Sequence, residues 1–411
     1  MDPKLTAALS AEIDASFDDE VAFLQALVRV PSDNPPGNCT PHSVRAADLL
    51  EEIGFTVERH PVPTDLCHAN GMISATNLII RQRFGAGPVI AFNAHGDVVA
   101  PGDGWSSDPY GAEIRDGWMY GRGAAVSKSD FATYVYALKA VMACNPPLAG
   151  SIEVHLTYDE EVGGFIGPKW LLDEGLSKPD YAVSAGFSYA VITAHNGCLH
   201  LEVSVLGKSA HAAKPSTGHD AMEAANAVLT ALYQHRKSLG ATVSAISGIG
   251  SPNLNVGLIE GGINTNVVPD RVTLRLDRRM IPEENAAEVE AGLRALIADS
   301  LQGLPGITHS VSRVLLAEPL APVGDITHLA ETLQANATRV IGEPVPLLGV
   351  PLYTDARHYA TQGIPTVLYG AGPRSIEEAN AHRADERLPL DSLRKATEVI
   401  AGTMVDMLAQ K

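Results

Sequence analysis

Apolar residues recur at helical spacing over 7–30 and again over 43–53, and a short stretch at 56–60 predicts the first strand. Four apolar runs follow at 77–81, 89–93, 151–157 and 181–184, separated by helical stretches such as 127–144. Runs that are apolar throughout suit strands covered on both faces, and their alternation with helices is the βαβ rhythm of a largely parallel sheet. From 197 to 316 the texture changes. A strand at 199–206, a helix at 220–239, strands at 253–259 and 271–275, a helix at 286–300 and a strand at 308–315 give the order βαββαβ, the signature of a small ferredoxin-like module. A helix at 326–341, a strand at 366–369 and a helix at 390–408 return to the first pattern. The expected architecture is therefore α/β: a mostly parallel-sheet domain made of residues 1–196 and 317–411, interrupted by an inserted ferredoxin-like α+β domain at 197–316.

Length supports two domains, because 411 residues with 45% hydrophobic content exceed what one compact core accommodates. The balance of 30 Lys and Arg against 48 Asp and Glu, a formal charge of −18 without a basic cluster, argues against nucleic acid or an anionic membrane as partner. A small molecule is the expected partner. Cys39, Cys67, Cys144 and Cys198 are widely spaced with no CxxC pair, which predicts reduced thiols and a cytoplasmic setting. No run approaches the length of a membrane span, and the acidic amphipathic N-terminus has no apolar signal core.

Candidate chemistry lies at strand ends. In AFNAHGDVV, His95 and Asp97 are two residues apart, a spacing that puts both on one face of a strand and lets the carboxylate accept the second ring N–H of a metal-bound imidazole. TYDEEVGG ends another strand with Asp159, Glu160 and Glu161, three adjacent carboxylates that repel one another unless a cation or water relieves them. His382 sits in the loop GAGPRSIEEANAHRADERL and gains weight only from such company.

These segments, with GDGWSSDPY, YGRGAA, GKSAHAAKP, GGINTNVVPDR, LDRRMIP and TDAR, occur in the order and approximate spacing of the metallopeptidase-like amidohydrolases, which include aminoacylase, acetylornithine deacetylase, succinyl-diaminopimelate desuccinylase and glutamate carboxypeptidase. The resemblance covers nearly the whole chain. It implies a catalytic domain with a two-metal site and an inserted lid that often dimerises, so a homodimer through 197–316 is expected. It also implies roles: His95, Glu161 and His382 as metal ligands, Asp97 as the partner of His95, Glu160 as general base, and His211 as a lid histidine that polarises the scissile carbonyl of a neighbouring site. Asn266, Arg279 and Arg357 match positions that hold the substrate's carboxylate side, and Tyr353 lies beside them.

Two family ligands are missing. Val126 stands where an aspartate would bridge both metals, and Gly186, followed by Phe187, stands where a further carboxylate would be. Ser127 and Asp130 have the spacing of a helix capping box, and Val126 and Phe131 that of a hydrophobic staple, so the altered segment is expected to be a helix start. The surviving two histidines and a glutamate suffice for one ion, zinc or manganese, with an open water position; two ions are the alternative. The resulting expectation is a metal-dependent hydrolase of a C–N bond in an N-acyl amino acid or similar small carboxylate-bearing amide, with Glu160 activating one water. Phe187, Tyr189, Leu352 and Tyr353 suggest an aromatic-lined pocket and a second reading, a hydrolytic deaminase of an aromatic amine resembling 5-nitroanthranilate aminohydrolase. A third reading, a non-catalytic binding protein, has against it the joint presence of His95, Asp97, Glu160, Glu161, His211 and His382. His195 and His358 are further candidates to replace a lost ligand.

Overall fold

The computed structural model describes residues 2–410, which divide into two compact units: residues 2–193, 322–348 and 354–410 form the first, and 194–321 with 349–353 the second. The five residues 349–353, Tyr353 among them, go with the inserted unit and not with the surrounding one.

The first unit is built on an eight-stranded sheet in the order Val57–Pro61, Thr76–Arg83, Ser151–Thr157, Val89–His95, Tyr181–Ser184, Thr366–Leu368, Val191–His195, Leu347–Val350. Its four central strands pair in parallel, whereas Thr76–Arg83 pairs antiparallel with both Val57–Pro61 and Ser151–Thr157, and Thr366–Leu368 antiparallel with Val191–His195. Central residues such as Ile90, Phe92, Val154, Leu156 and Val183 are buried, as apolar runs without alternation require. The helices Pro3–Val28, Lys128–Cys144, Ile326–Ile341 and Leu390–Leu408 cover this core. The first is opened by Asp2, whose carboxylate accepts from Lys4 N at 3.1 Å, with Pro3 in the first turn, where its missing N–H costs nothing. The strands Val191–His195 and Leu347–Val350 are additions to those expected from the sequence.

The second unit is a four-stranded antiparallel sheet in the order Asn253–Gly261, Arg271–Met280, Gly197–Leu206, Thr308–Ala317. With the helices Ala221–Leu239 and Ala286–Ser300 this is the predicted ferredoxin-like βαββαβ. Leu199, Leu201, Val203 and Val205 alternate inward against Val228, Leu232, Leu293 and Ile297. Asp220 and Asn285 cap the two helices, each accepting from two backbone N–H groups.

All four cysteines are free thiols. Among the described residues no helix is long and apolar enough to cross a membrane.

Glu20, on the first helix, is buried and accepts from Thr397 Oγ1 at 2.6 Å. Burial pushes its carboxyl from 4.5 up to about 8, against smaller opposing effects of Thr397 and Arg394. The folded state thus binds this proton more tightly than the unfolded chain. Its advantage is complete below pH 4.5 and is lost as pH rises through 8. Glu20→Gln, which keeps the Thr397 acceptor, is expected to leave stability unchanged at pH 4.5 and to raise it by on the order of 4 kcal/mol at pH 8. Urea titrations across this range check the trend; an equal gain at both ends would refute it.

Candidate active site

His95 ends the strand Val89–His95, and in the parallel register it lies opposite Thr157, the last residue of the strand Ser151–Thr157. The residues after both strands therefore emerge at one carboxyl-terminal sheet edge, where open α/β sheets form their binding crevices. This is why segments more than 60 positions apart supply one constellation.

His95 Nδ1 lies 2.9 Å from the Asp97 carbonyl and 3.4 Å from its Oδ1. Two acceptors facing one ring nitrogen place the proton there and leave Nε2 as the ligand atom. Asp97 is fully buried and also accepts from Asn34 Nδ2 at 2.9 Å, Glu160 N at 3.3 Å and Glu161 N at 3.2 Å. One carboxylate thereby orients the histidine and fixes the backbone turn that carries both glutamates. Burial works against protonation of His95, yet the Asp97 hydrogen bond and the charges of Glu160, Asp97 and Glu161 outweigh it and hold the imidazole well above its ordinary value. Burial, opposed by His95 and reinforced by Glu161 and Asp97, lifts Glu160 to about 7, the range suited to a general base.

The ligand-bearing atoms of His95, Glu160 and Glu161 lie within 4.8 Å of one another, and His382 Nε2 is 3.6 Å from Glu161 Oε1. The structure thus gathers His95 and Glu161 with Glu160, the expected base, and brings the 60% exposed His382 side chain to Glu161 alone. His382 adopts φ +60°, flanked by Asn380 at +49° and Asp385 at +57°, a left-handed run that non-glycine residues adopt only where their surroundings impose it. Two imidazoles and a carboxylate, amid an excess of negative charge, fit a divalent cation.

The altered positions are filled. Val126 N and Ala125 N donate to Glu386 Oε1 at 3.3 and 3.0 Å, and Glu386 Oε2 pairs with the buried Arg122 at 2.7 Å. The expected capping box is absent: Ser127 Oγ accepts from His95 N at 2.8 Å and donates to His95 O at 3.1 Å. Asp130 accepts from Ala371 N at 2.7 Å, so both side chains serve neighbouring segments instead of the helix start. Local spacing suggested a cap; tertiary donors took both groups. At Gly186 a Cβ would lie 3.0 Å from Tyr369 N and 3.2 Å from Leu368 C, so the position is tightly packed and a side chain there would need its neighbours to give by a few tenths of an ångström. Phe187 packs against the core and across Gly372, and Arg374 stacks on Tyr189 at 3.9 Å.

Behind Glu160 lies a buried group that sequence reasoning left unassembled. Asp355 is buried with neither carboxylate oxygen hydrogen-bonded, and burial, with the charge of Glu160 next, raises it to about 8. Asp159, also buried, is pushed well up by burial and then by Asp355, while its Oδ2 accepts from Ile166 N at 2.6 Å. Arg357 is 2% exposed, and its guanidinium donates to Gly163 O and, at 2.6 Å, to Thr354 O, bracing the turn after Glu161. His358 Nε2 contacts Gly163 O at 3.0 Å, and His195 Nδ1 contacts Asn196 O at 2.9 Å, so these ring nitrogens meet backbone carbonyls. The signal was present in the glycines of DEEVGG: a Cβ at Gly164 would strike Asp355 and His358.

His211, Asn266, Arg279 and Tyr353 belong to the second unit. There His211 pairs with Val267, Ala212 N donates to Asn266 O at 3.0 Å, and His211 Nδ1 accepts from Ala213 N at 3.1 Å. In neutral His211 the proton therefore resides on Nε2. Arg279 Nε donates to Asp277 at 3.0 and 3.2 Å, and Tyr353 lies within electrostatic range of Arg279.

The family model described as peptidase family M20/M25/M40 matches residues 91–406. The succinyl-diaminopimelate desuccinylase of Gluconacetobacter diazotrophicus is 28% identical over 391 residues, 91% of this chain and 93% of that one. The aminopeptidase PepT of Bacillus cereus shares the fold with a TM-score of 0.73 at 23% identity, covering 95% and 98% of the two chains. The YXEP protein of Bacillus subtilis, described as a dinuclear metal-binding peptidase of the M20 family, gives a TM-score of 0.70 at 16% identity over 96% and 99%. The α/β fold with an inserted second domain agrees with these likenesses.

Removing Glu386 leaves Arg122 charged and buried and two backbone N–H groups without their acceptor. Glu386→Ala is expected to cost about 3–5 kcal/mol of unfolding free energy, read by denaturant titration. A loss below about 1 kcal/mol would show that the pair is dispensable.

Proposed function

We propose that this chain, which belongs to peptidase family M20/M25/M40, hydrolyses the amide bond of an N-acyl amino acid or similar small carboxylate-bearing amide and does so with a single divalent ion, zinc or manganese. It is a metal-dependent hydrolase of C–N bonds. The observation that carries the one-ion reading is the contrast within the site. His95 and Glu161 lie together with Glu160, and His382 reaches Glu161 from a more exposed position, whereas the position of Gly186 is tightly packed and that of Val126 has no donor atom.

His95, Glu161 and His382 would hold the ion. When bound, a divalent cation acidifies water and polarises the substrate carbonyl. Glu160, poised near 7 and adjacent to the ligand set, takes the proton of the attacking water and returns it to the leaving nitrogen. Asp97 keeps His95 in the tautomer whose Nε2 is free, and Arg357 braces the turn that carries Glu160. We assign His211 the task of donating from Nε2 to the carbonyl oxygen as charge develops. Arg279, with Asn266 and Tyr353, is assigned to the substrate carboxylate, since a guanidinium suits bidentate recognition of that group. A homodimer through the second unit is part of the proposal: Asn253–Gly261 is an edge strand, and Leu258 and Ile259 on it are exposed at 61% and 54%. Relatives named as desuccinylases make N-succinyl amino acids the first compounds to assay.

Metal content of wild type minus that of Glu161→Ala, for protein purified without chelator, should equal one equivalent per chain. Glu160→Gln should keep that equivalent while lowering kcat by about 10²–10⁴-fold on N-acyl amino acids. A difference of two equivalents would overturn the one-ion reading, and full activity of Glu160→Gln would overturn the mechanism.

A further inference from the structure

Outside that site the second unit gathers another group of ligand-type side chains. Cys198 and His200 lie two residues apart on the strand Gly197–Leu206 and so share a face. On the neighbouring antiparallel strand Asp277 is directly opposite His200, and Arg279 opposite Cys198. Cys198 Sγ is 3.2 Å from His200 Nε2 and 3.8 Å from Asp277 Oδ2, and the same Oδ2 is 2.9 Å from His200 Nε2. Arg279 Nε donates to both Asp277 oxygens, at 3.0 and 3.2 Å.

Two chemistries use a thiol, an imidazole and a carboxylate at such range. A nucleophilic relay needs the thiol on one ring nitrogen and the carboxylate on the other, so that the ring passes a proton while being oriented. Here sulfur and carboxylate converge on the same nitrogen, Nε2, which that relay does not permit. Three donor atoms converging on one point is instead the arrangement of a metal centre. Bonds of about 2.0 Å to nitrogen and oxygen and 2.3 Å to sulfur, at tetrahedral angles, separate ligand atoms by roughly 3.3–3.5 Å. The separations of 2.9, 3.2 and 3.8 Å bracket that span. Cys198 is fully buried, while the His200 and Asp277 side chains are 37% and 27% exposed, so solvent reaches the group from one side.

We infer that Cys198, His200 and Asp277 form a binding site for a thiophilic divalent cation such as zinc, with an open fourth position and with Arg279 hydrogen-bonded to the ligating carboxylate from outside. The thiol binds as thiolate, its proton passing to solvent on loading. Two paired strands hold all three ligands, so little ordering is needed on binding. Because Asp277 also holds Arg279, the site is connected to a residue assigned above to substrate; the inference does not depend on that assignment.

Cobalt(II) is the probe, since sulfur ligation gives it a near-ultraviolet charge-transfer band that nitrogen and oxygen ligands do not. Among the described residues no other cysteine joins a group of three potential ligands, so such a band reports Cys198. Full-length protein titrated with cobalt should develop the band. Cys198→Ser should abolish it and lower bound metal by one equivalent, and Glu161→Ala should lower bound metal but keep the band. His200→Gln should weaken the band's titration at least about tenfold. Circular dichroism establishes that each variant is folded. Absence of the band in cobalt-saturated wild type, or unchanged stoichiometry in Cys198→Ser, would overturn the site without bearing on the Glu161 centre.

Discussion

Crowding of like charge at the ends of two parallel strands is the constraint on which the molecule is organised. His95 opposite Thr157 fixes where the chain leaves the sheet, and Asp97, Asp159, Glu160 and Glu161 then arrive within one crevice. Carboxylates so close are tolerated only by pairing, protonation or a cation. The first two are in place, and the third has a site to fill. Asp97 collects three N–H donors and the His95 ring, Asp159 and Asp355 are pushed toward the neutral form, and Glu161 faces His95 and His382 across a gap that suits an ion. Arg357 adds one buried positive charge beneath the turn. The excess of negative charge that would destabilise an empty crevice is what gives it affinity for a cation, while burial, reinforced by Glu161 and Asp97 against the opposing charge of His95, keeps Glu160 basic enough to accept a proton near neutrality.

Much of this was readable before any coordinates. Apolar runs without alternation identified the central strands, and alternation such as Leu199, Leu201, Val203 and Val205 identified the half-buried sheet of the inserted unit. The i, i+2 spacing of His95 and Asp97 and the repulsion expected of the triple carboxylate at 159–161 pointed to the site, and the ordered family motifs gave those residues their roles; both segments lie at or just beyond the ends of their strands. What failed to show were features made by tertiary contact. Ser127 and Asp130 have cap spacing, yet their hydrogen bonds go to His95 and Ala371. Asp355 and Arg357 lie nearly 200 positions from Glu160, and no local pattern says that a helix start will be driven beneath that turn. The short strands Val191–His195 and Leu347–Val350 are likewise additions to those expected.

The two departures from the family pattern have different physical characters. At Val126 the backbone is intact and well anchored, its N–H held by Glu386, and only the side chain lacks a donor. At Gly186 the packing is tight, since any Cβ would press on Tyr369 N and Leu368 C. A ligand at Val126 needs only a different side chain, whereas one at Gly186 also needs Leu368 and Tyr369 to give by a few tenths of an ångström. A ligand returned at Val126 alone would add a carboxylate to a crevice already rich in them, without a second partner to share an ion.

That asymmetry bears on how a one-ion enzyme can retain the remaining machinery. The groups that orient His95 and carry Glu160 are tied to Asp97 and to the turn at 160–163, and neither Val126 nor Gly186 contributes a side-chain hydrogen bond to them. On the one-ion reading, the absence of the two carboxylates would cost a cation without loosening the base or the remaining ligands. It also relieves the crevice of two negative charges, which offsets part of the repulsion that a second cation would otherwise have neutralised. On that reading the centre would be smaller in charge and in metal, while Asp97 and the turn at 160–163, which position Glu160, are independent of both positions.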